Sequence, residues 1–277
     1  MLERFASLAD GLDHPEGIAA GPDGTVYAGG EAGQVYRIAD GAATEIASTG
    51  GFLYGVAVDG DGNVFGCDMG RGEIVRVTPR GDVSTYSSGT PDRPLRVPNF
   101  AAFSDDGDLY VTDSGGWRAD DGTIFRIAPG GETSVWCDEA RAFPNGCCLT
   151  ATGDALLVVE TTRSRVVRIP IRDDGAAGTP HPIVELPGSL PDGVALAADG
   201  TLFIGCWRPD RVWRVPPGEA PEILADDPDG VTFNQPANVA FVGPQLDRLA
   251  VSSLGGWSIV AADVGAIGLR LRYPTFR

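Results

Sequence analysis

Six stretches of this chain repeat one phrase, and that repetition limits its fold more than any other feature. They begin HPEGIAAGPDGTVYAGG at His14, FLYGVAVDGDGNVFGCD at Phe52, VPNFAAFSDDGDLYVTD at Val97, FPNGCCLTATGDALLVVE at Phe143, LPDGVALAADGTLFIGC at Leu190 and QPANVAFVGPQLDRLAVSS at Gln235. With Gly17, Gly55, Phe100, Gly146, Gly193 and Asn238 taken as equivalent, the separations are 38, 45, 46, 47 and 45 residues. A period of this size marks one supersecondary unit used over and over.

Each unit follows the same grammar. A short apolar run meets a turn such as Asp23-Gly24, Asp61-Gly62, Asp106-Gly107 or Asp199-Gly200, and an alternating strand follows. A third strand ends in an apolar-Arg-apolar triplet (VYRI, IVRV, IFRI, VVRI, VWRV), and a shorter fourth closes the unit. Glycine (39) and proline (21) are too dense for a helical bundle and suit short strands joined by turns. Four antiparallel strands per unit describe a propeller blade. The expectation is an all-β, six-bladed β-propeller, with residues 1–277 as one domain. The sixth unit lacks a fourth strand after GWSIVAAD, and ERFASLAD near the N-terminus matches PEILADD, so residues 3–8 are expected to complete that blade and close the ring. The tail GLRLRYPTFR is left over, to pack on the outside or in a subunit contact.

In such a ring the innermost strands line the axis, and the residues entering them converge from different blades. The residue before each anchor is Glu16, Tyr54, Asn99, Asn145, Asp192 and Ala237. Asn and Asp are common turn residues one at a time. Two carboxylates and two amides at one repeat position are harder to explain that way, because buried carboxylates need a counter-charge. Glu16, Asn99, Asn145 and Asp192 offer only oxygen, the donor set of one hard divalent cation, calcium before magnesium or manganese. An all-oxygen shell is unlike a dedicated zinc site, although zinc stays among the alternatives.

These motifs also carry a family resemblance. HPEG, VPN, FPNG and LPDG, in blades 1, 3, 4 and 5, resemble the SMP-30/gluconolactonase/LRE-like superfamily over almost the whole chain. The resemblance implies a catalytic divalent metal at the channel mouth, with Glu16, Asn145 and Asp192 as direct ligands. Asn99 would ligate the ion or orient water and substrate. It further implies hydrolysis of lactones or, in some members, phosphotriesters, with Asp192 as the base acting on water or as the nucleophile. The chain departs from the family at Asn99-Phe100, where many members read Asn-Asp. Arg96 stands three residues before Asn99, where senescence-marker lactonases place an arginine two before, as a substrate-hydroxyl contact. Paraoxonase-like members use a histidine pair, and this chain has only His14 and His181. His14 belongs at the mouth or in a turn, and His181 in an exposed connector. The alternative is a non-hydrolytic propeller, strictosidine-synthase-like or ligand-binding, that keeps the metal site.

The remaining features narrow the function. Acids outnumber bases 38 to 21, a net charge of −17, which repels phosphate backbones and disfavours nucleic acid as a partner. No apolar run is long enough to span a membrane and no signal-peptide pattern opens the chain. Five cysteines without CxxC spacing read as reduced thiols, so a cytoplasmic protein with a small-molecule substrate is expected, its oligomeric state left open. Asp59-x-Asp61-x-Asn63 opens like an EF-hand, but position twelve is Gly70. Gly29, Gly30 and Gly33 lead into a strand, which rules out a dinucleotide fingerprint, and no G-x-S-x-G elbow occurs. Cys147 and Cys148 are expected in the inner strand as buried packing, the alternative being that one of them faces the channel, since strand residues alternate faces. Trp117 and Trp257 follow Gly-Gly in blades 3 and 6, and Trp117 is a candidate pocket wall for substrate.

Overall fold

In the computed structural model, which describes residues 1–276, six four-stranded antiparallel sheets stand around an axis. The innermost strands are Ile18–Ala20, Leu53–Val58, Pro98–Phe103, Pro144–Leu149, Leu190–Leu196 and Pro236–Val242. Each pairs with the strand that follows it in the chain, and so outward to the fourth. Burial follows that order. Pro236–Val242 is buried throughout, whereas the fourth strand Glu222–Asp226 buries only Ala225.

The apolar side chains form six clusters, one at each junction between neighbouring blades. Phe65 and Ile74 of blade 2 meet Phe103, Leu109 and Phe125 of blade 3, for example. Likewise Phe203 of blade 5 meets Phe241, Leu249 and Val251 of blade 6. No blade buries its faces alone, so the hydrophobic effect holds the ring as a cooperative whole. The glycine of the repeated phrase has a packing cause. A Cβ on Gly146 would lie 2.6 Å from the Asp192 carbonyl oxygen, and one on Gly55 would lie 2.6 Å from that of Asn99. Adjacent inner strands pass too close there for any side chain. The triplet arginines are structural: Arg126 reaches Asp108 and Arg168 reaches Asp154, each 2.6 Å away.

The ring closes through the N-terminal segment as expected, with shifted bounds. Residues Leu2–Arg4 form a short 3-10 turn, and the strand is Ala6–Asp10, paired antiparallel with Ser258–Ala262. Leu8-Ala9-Asp10 fills the place that Leu224-Ala225-Asp226 fills in blade 5, with Ala9 and Ala225 both buried. His181 is not in a connector. It is exposed and begins the fourth strand of blade 4, His181–Glu185.

The tail packs neither on the outer wall nor free for a subunit contact. It crosses the end of the axis where the inner strands finish. Leu269 N–H donates to Leu196 O at 2.8 Å, and Gly268 N–H donates to Leu246 O at 2.8 Å. Arg272 binds Asp105 and the Thr150 carbonyl, and the Tyr273 hydroxyl donates to Ala20 O at 3.0 Å. Gly60 N–H donates to Pro274 O at 2.7 Å, so every blade touches the tail. Phe276 then packs against Phe65 and Phe103. Above the tail lies an apolar cavity of ≈ 90 Å³, lined by Val56, Phe100, Cys148, Val194, Val239 and Leu269 among others. Among the described residues, no helix is long and apolar enough to cross a membrane.

Candidate functional site

Glu16, Asn99, Asn145 and Asp192 all sit where an inner strand begins, at the end of the axis opposite the tail. All four are buried, at 5%, 3%, 4% and 6% exposure. Glu16 and Asp192 are close enough that each opposes the other's ionisation. Burial, and then the Asp192 charge, hold the Glu16 carboxyl well above its usual range; burial raises Asp192 too, against a hydrogen bond from Asn145.

Neighbouring blades fix this ring through hydroxyls. Thr112 donates to Asn145 O at 2.8 Å, Thr161 to Pro191 O at 2.7 Å, and Ser252 to Glu16 O at 2.6 Å. The Thr161 bond also orients Asn145. Its one hydroxyl proton goes to Pro191, so Thr161 can only accept from the atom 3.2 Å away, which is therefore the Asn145 amide nitrogen. The amide oxygen is left for another partner.

Other buried carboxylates at this end are accounted for differently. Asp68 accepts through Oδ1 from the backbone of Phe52 and Arg71, its Oδ2 staying unpartnered; Asp113 accepts from the backbone of Arg96 and Gly115, and Glu160 from Ala142 and the Arg165 guanidinium. They tie down the segments that enter the blades. Among the described residues, no N–H or cation does this for Glu16. Asn99 Oδ1 is buried with no partner at all. A buried carboxylate pair without counter-charge, beside an orphaned carbonyl-type oxygen, fits a hard divalent cation that takes oxygen donors.

Tyr54, the blade 2 residue of the ring, faces the same pair. Burial and the charges of Glu16 and Asp192 push its phenol up, so it keeps its proton. The sequence places Tyr54 in the ring without giving it a role; the signal was the shared repeat position. Ala237 offers nothing. Phe100, at the position of the family aspartate, lines the apolar cavity below the mouth.

The other candidates stand on the rim. The Arg96 guanidinium is taken by Asp121, at 2.9 Å to the carboxylate and 3.1 Å to the carbonyl. Trp117 is 46% exposed and meets Phe143 edge-on at 5.0 Å. His14 is in a turn, with φ of 44°. Its Nδ1 faces Asp13 at 2.9 Å and Glu31 at 3.2 Å, while the Trp257 indole N–H donates to Nε2 at 3.3 Å. Indole only donates, so Nε2 carries no proton in this arrangement and Nδ1 does. Cys147 is buried and Cys148 half-buried against the cavity.

Comparison with known proteins matches this architecture. A sequence model of the SMP-30/Gluconolactonase/LRE-like region matches residues 81–255, and one of the strictosidine synthase-like N-terminal region matches residues 3–38. The chain is 28% identical over 215 residues to pentonolactonase XacC of Haloferax volcanii, covering 74% of this chain and 68% of that one. It is 25% identical over 171 residues to lactonase drp35 of Staphylococcus aureus, covering 57% and 51%. The matched region thus spans about half the length of the drp35 lactonases. Among solved structures, a gluconolactonase from Xanthomonas campestris superposes with a TM-score of 0.80 at 21% identity, covering 93% of this chain and 89% of the other. A calcium-binding regucalcin from Agrobacterium tumefaciens gives 0.75 at 18% identity, covering 99% and 98%. Identities this low establish a shared fold. The family match spans well over half of the chain, which belongs to the SMP-30/gluconolactonase/LRE-like family.

Proposed function

We propose that this member of the SMP-30/gluconolactonase/LRE-like family is a divalent-cation-dependent lactonase, with calcium as the preferred ion. The observation that carries the reading is the Glu16–Asp192 pair, buried without a counter-charge beside the unpartnered Asn99 oxygen. Glu16, Asn145 and Asp192 are the ligands, joined by Asn99. The relatives named as lactonases and gluconolactonase, and the calcium-binding regucalcin, support the reaction class and the ion.

A bound divalent cation supplies Lewis-acid polarisation of the ester carbonyl and neutralises the carboxylate pair. The protein contributes the rest. Asp192 accepts a proton from the water that attacks the carbonyl carbon. The acyl carbon–ring oxygen bond then breaks, the ring oxygen takes up a proton, and the product is a hydroxy acid. Tyr54, held protonated beside both carboxylates, keeps an O–H donor at the mouth. Phe100 and the apolar cavity beneath it keep bulk water from reaching the site from below.

The test is calorimetric titration of chelator-treated protein with calcium, followed by a lactone panel with and without EDTA. Tight one-to-one binding and EDTA-sensitive turnover are expected. Binding without turnover of any lactone would transfer the assignment to a non-hydrolytic propeller, a class suggested by the strictosidine synthase-like match at residues 3–38.

A further inference from the structure

The connection between the second and third strands of blade 3, residues 114–122, is held far more firmly than an exposed loop requires. Arg118 and Asp120 adopt left-handed backbone conformations, with φ of 59° and 49°, which non-glycine residues avoid unless their surroundings enforce it. Three arginines from outside the loop supply that enforcement. Arg96, from the chain entering blade 3, takes the Asp121 carboxylate and carbonyl; Asp121 in turn accepts from Gly116 N–H at 2.8 Å. Arg141, from the chain entering blade 4, donates to Asp120 O at 2.8 Å, and Arg163 pairs with the Asp120 carboxylate at 3.1 Å. One exposed ion pair contributes little. Three arginines converging on two adjacent residues, two as ion pairs and one through a backbone carbonyl, fix a geometry.

What the loop presents is an aromatic face. Trp117 meets Phe143 at 5.0 Å and Trp207 at 6.2 Å, both edge-on. Phe143 lies two residues before Asn145. Trp207 follows Cys206, which pairs across the sheet with Pro191, the residue before Asp192. The face therefore stands over the Asn145–Asp192 side of the mouth. On it lies Arg118, its guanidinium 5.7 Å from the Trp117 ring centre. Arg96, Arg163 and Arg208 on the same rim each have a carboxylate partner. Among the described residues, Arg118 has none.

We propose that residues 114–122 form a preorganised specificity wall, and that the substrate carries, beyond its lactone ring, a flat apolar group ending in a carboxylate. Trp117, Phe143 and Trp207 stack against the flat group, and Arg118 pairs with the carboxylate. Arg96 acts as a positioning residue, through Asp121, rather than as a contact to substrate hydroxyls. A polyhydroxylated sugar lactone offers such a surface only the C–H face of its ring, a smaller apolar area than a flat aryl group, and no charge for Arg118.

This inference rests on the lactonase reading, so its test is binding without turnover. Three non-hydrolysable probes are titrated into calcium-loaded protein: a γ-(p-carboxyphenyl)-γ-lactam, its uncharged γ-phenyl parent, and gluconolactam. The expected order of affinity is carboxyphenyl, phenyl, gluconolactam. Trp117→Ala weakens both aryl probes by about tenfold, the loss expected for one aromatic contact with its buried area, and leaves gluconolactam unchanged. Arg118→Ala weakens the carboxyphenyl probe alone, by about fivefold. Arg96→Ala weakens both aryl probes less than Trp117→Ala does. Both Trp117 and Arg118 are exposed, and an unchanged melting temperature confirms that the variants fold. Equal or tighter binding of gluconolactam, indifference to Trp117→Ala, or no binding of any aryl probe overturns the proposal, whatever the lactone panel shows. The expected pattern without lactone turnover keeps the wall and removes the hydrolase.

Discussion

The two ends of the propeller axis are built from the same six strands and do opposite things. Where the inner strands begin, four oxygen-bearing side chains are buried, the Glu16–Asp192 pair without a counter-charge and Asn99 Oδ1 without a partner. Where they finish, the tail from Ile267 to Phe276 supplies a partner for nearly everything it meets, from the Ala20 carbonyl to the Gly60 amide. Unmet polarity is costly in a folded protein. The uncompensated Glu16–Asp192 pair marks one end as the candidate ligand end, while the hydrogen bonds of the tail seal the other. The structural carboxylates sharpen the contrast. Asp113 and Glu160 are as buried as Glu16, yet each has its N–H donors, and Asp68 has two on Oδ1 although its Oδ2 is unpartnered.

The largest effect should come from Asp192→Asn, which breaks the first end and spares the second. Turnover of a cleaved lactone at saturating calcium should fall about 10²–10⁴-fold, the range for a lost general base. Asn99→Ala, removing a neutral oxygen, should lose far less, and excess calcium should restore much of it. The metal-free Asp192→Asn protein should also melt higher than metal-free wild type, because one of two uncompensated buried carboxylates is gone. Equal small losses of turnover in the two variants would leave Asp192 as a ligand only.

Removing residues 267–277 attacks the sealed end. Burial of Leu269, Tyr273 and Phe276 at partial exposure implies a loss of about 3 kcal/mol, read as a lower midpoint in urea. Calcium affinity at the other end should stay within about twofold, since the truncated segment touches none of the four proposed ligands. A truncation that abolishes calcium binding while the ring stays folded would show that the two ends are coupled.

The smallest expected effect is the dependence of calcium stabilisation on pH. Both carboxyls of the pair hold protons more tightly in the folded protein than in the unfolded chain. Metal-free stability is therefore fully present below their ordinary values of 3.8 and 4.5, and is lost as the pH rises toward about 8, where burial puts Asp192. A cation that binds the ionised pair reverses this trend. Calcium at a hundred times its dissociation constant should add about 2.7 kcal/mol. Thermal melts at fixed total calcium should show the gain growing from pH 5 to pH 8. A gain independent of pH would mean that the ion displaces no protons from Glu16 and Asp192.

The sequence alone determined the parts of this protein that recur. Most blades need the same turn and alternation, and four of the six make the same close approach at a glycine (Gly17, Gly55, Gly146 and Gly193), so the requirement is written several times and the exceptions stand out. The four ring residues are legible as departures from a repeat, and the N-terminal strand is legible because Leu8-Ala9-Asp10 copies Leu224-Ala225-Asp226. The tail, the loop and the rim occur once. The bond from Tyr273 to Ala20 joins residues 253 apart, and nothing in GLRLRYPTFR marks its partner. Arg96 reads as a substrate contact until Asp121 is seen to hold it, and Trp117 is one aromatic among many until Phe143 and Trp207 arrive beside it. Local periodicity is a property of the chain, because neighbours in sequence solve the same packing problem repeatedly. A contact between distant, unrepeated segments exists only once closure of the ring brings them within a few ångströms, and that was left to the tertiary structure.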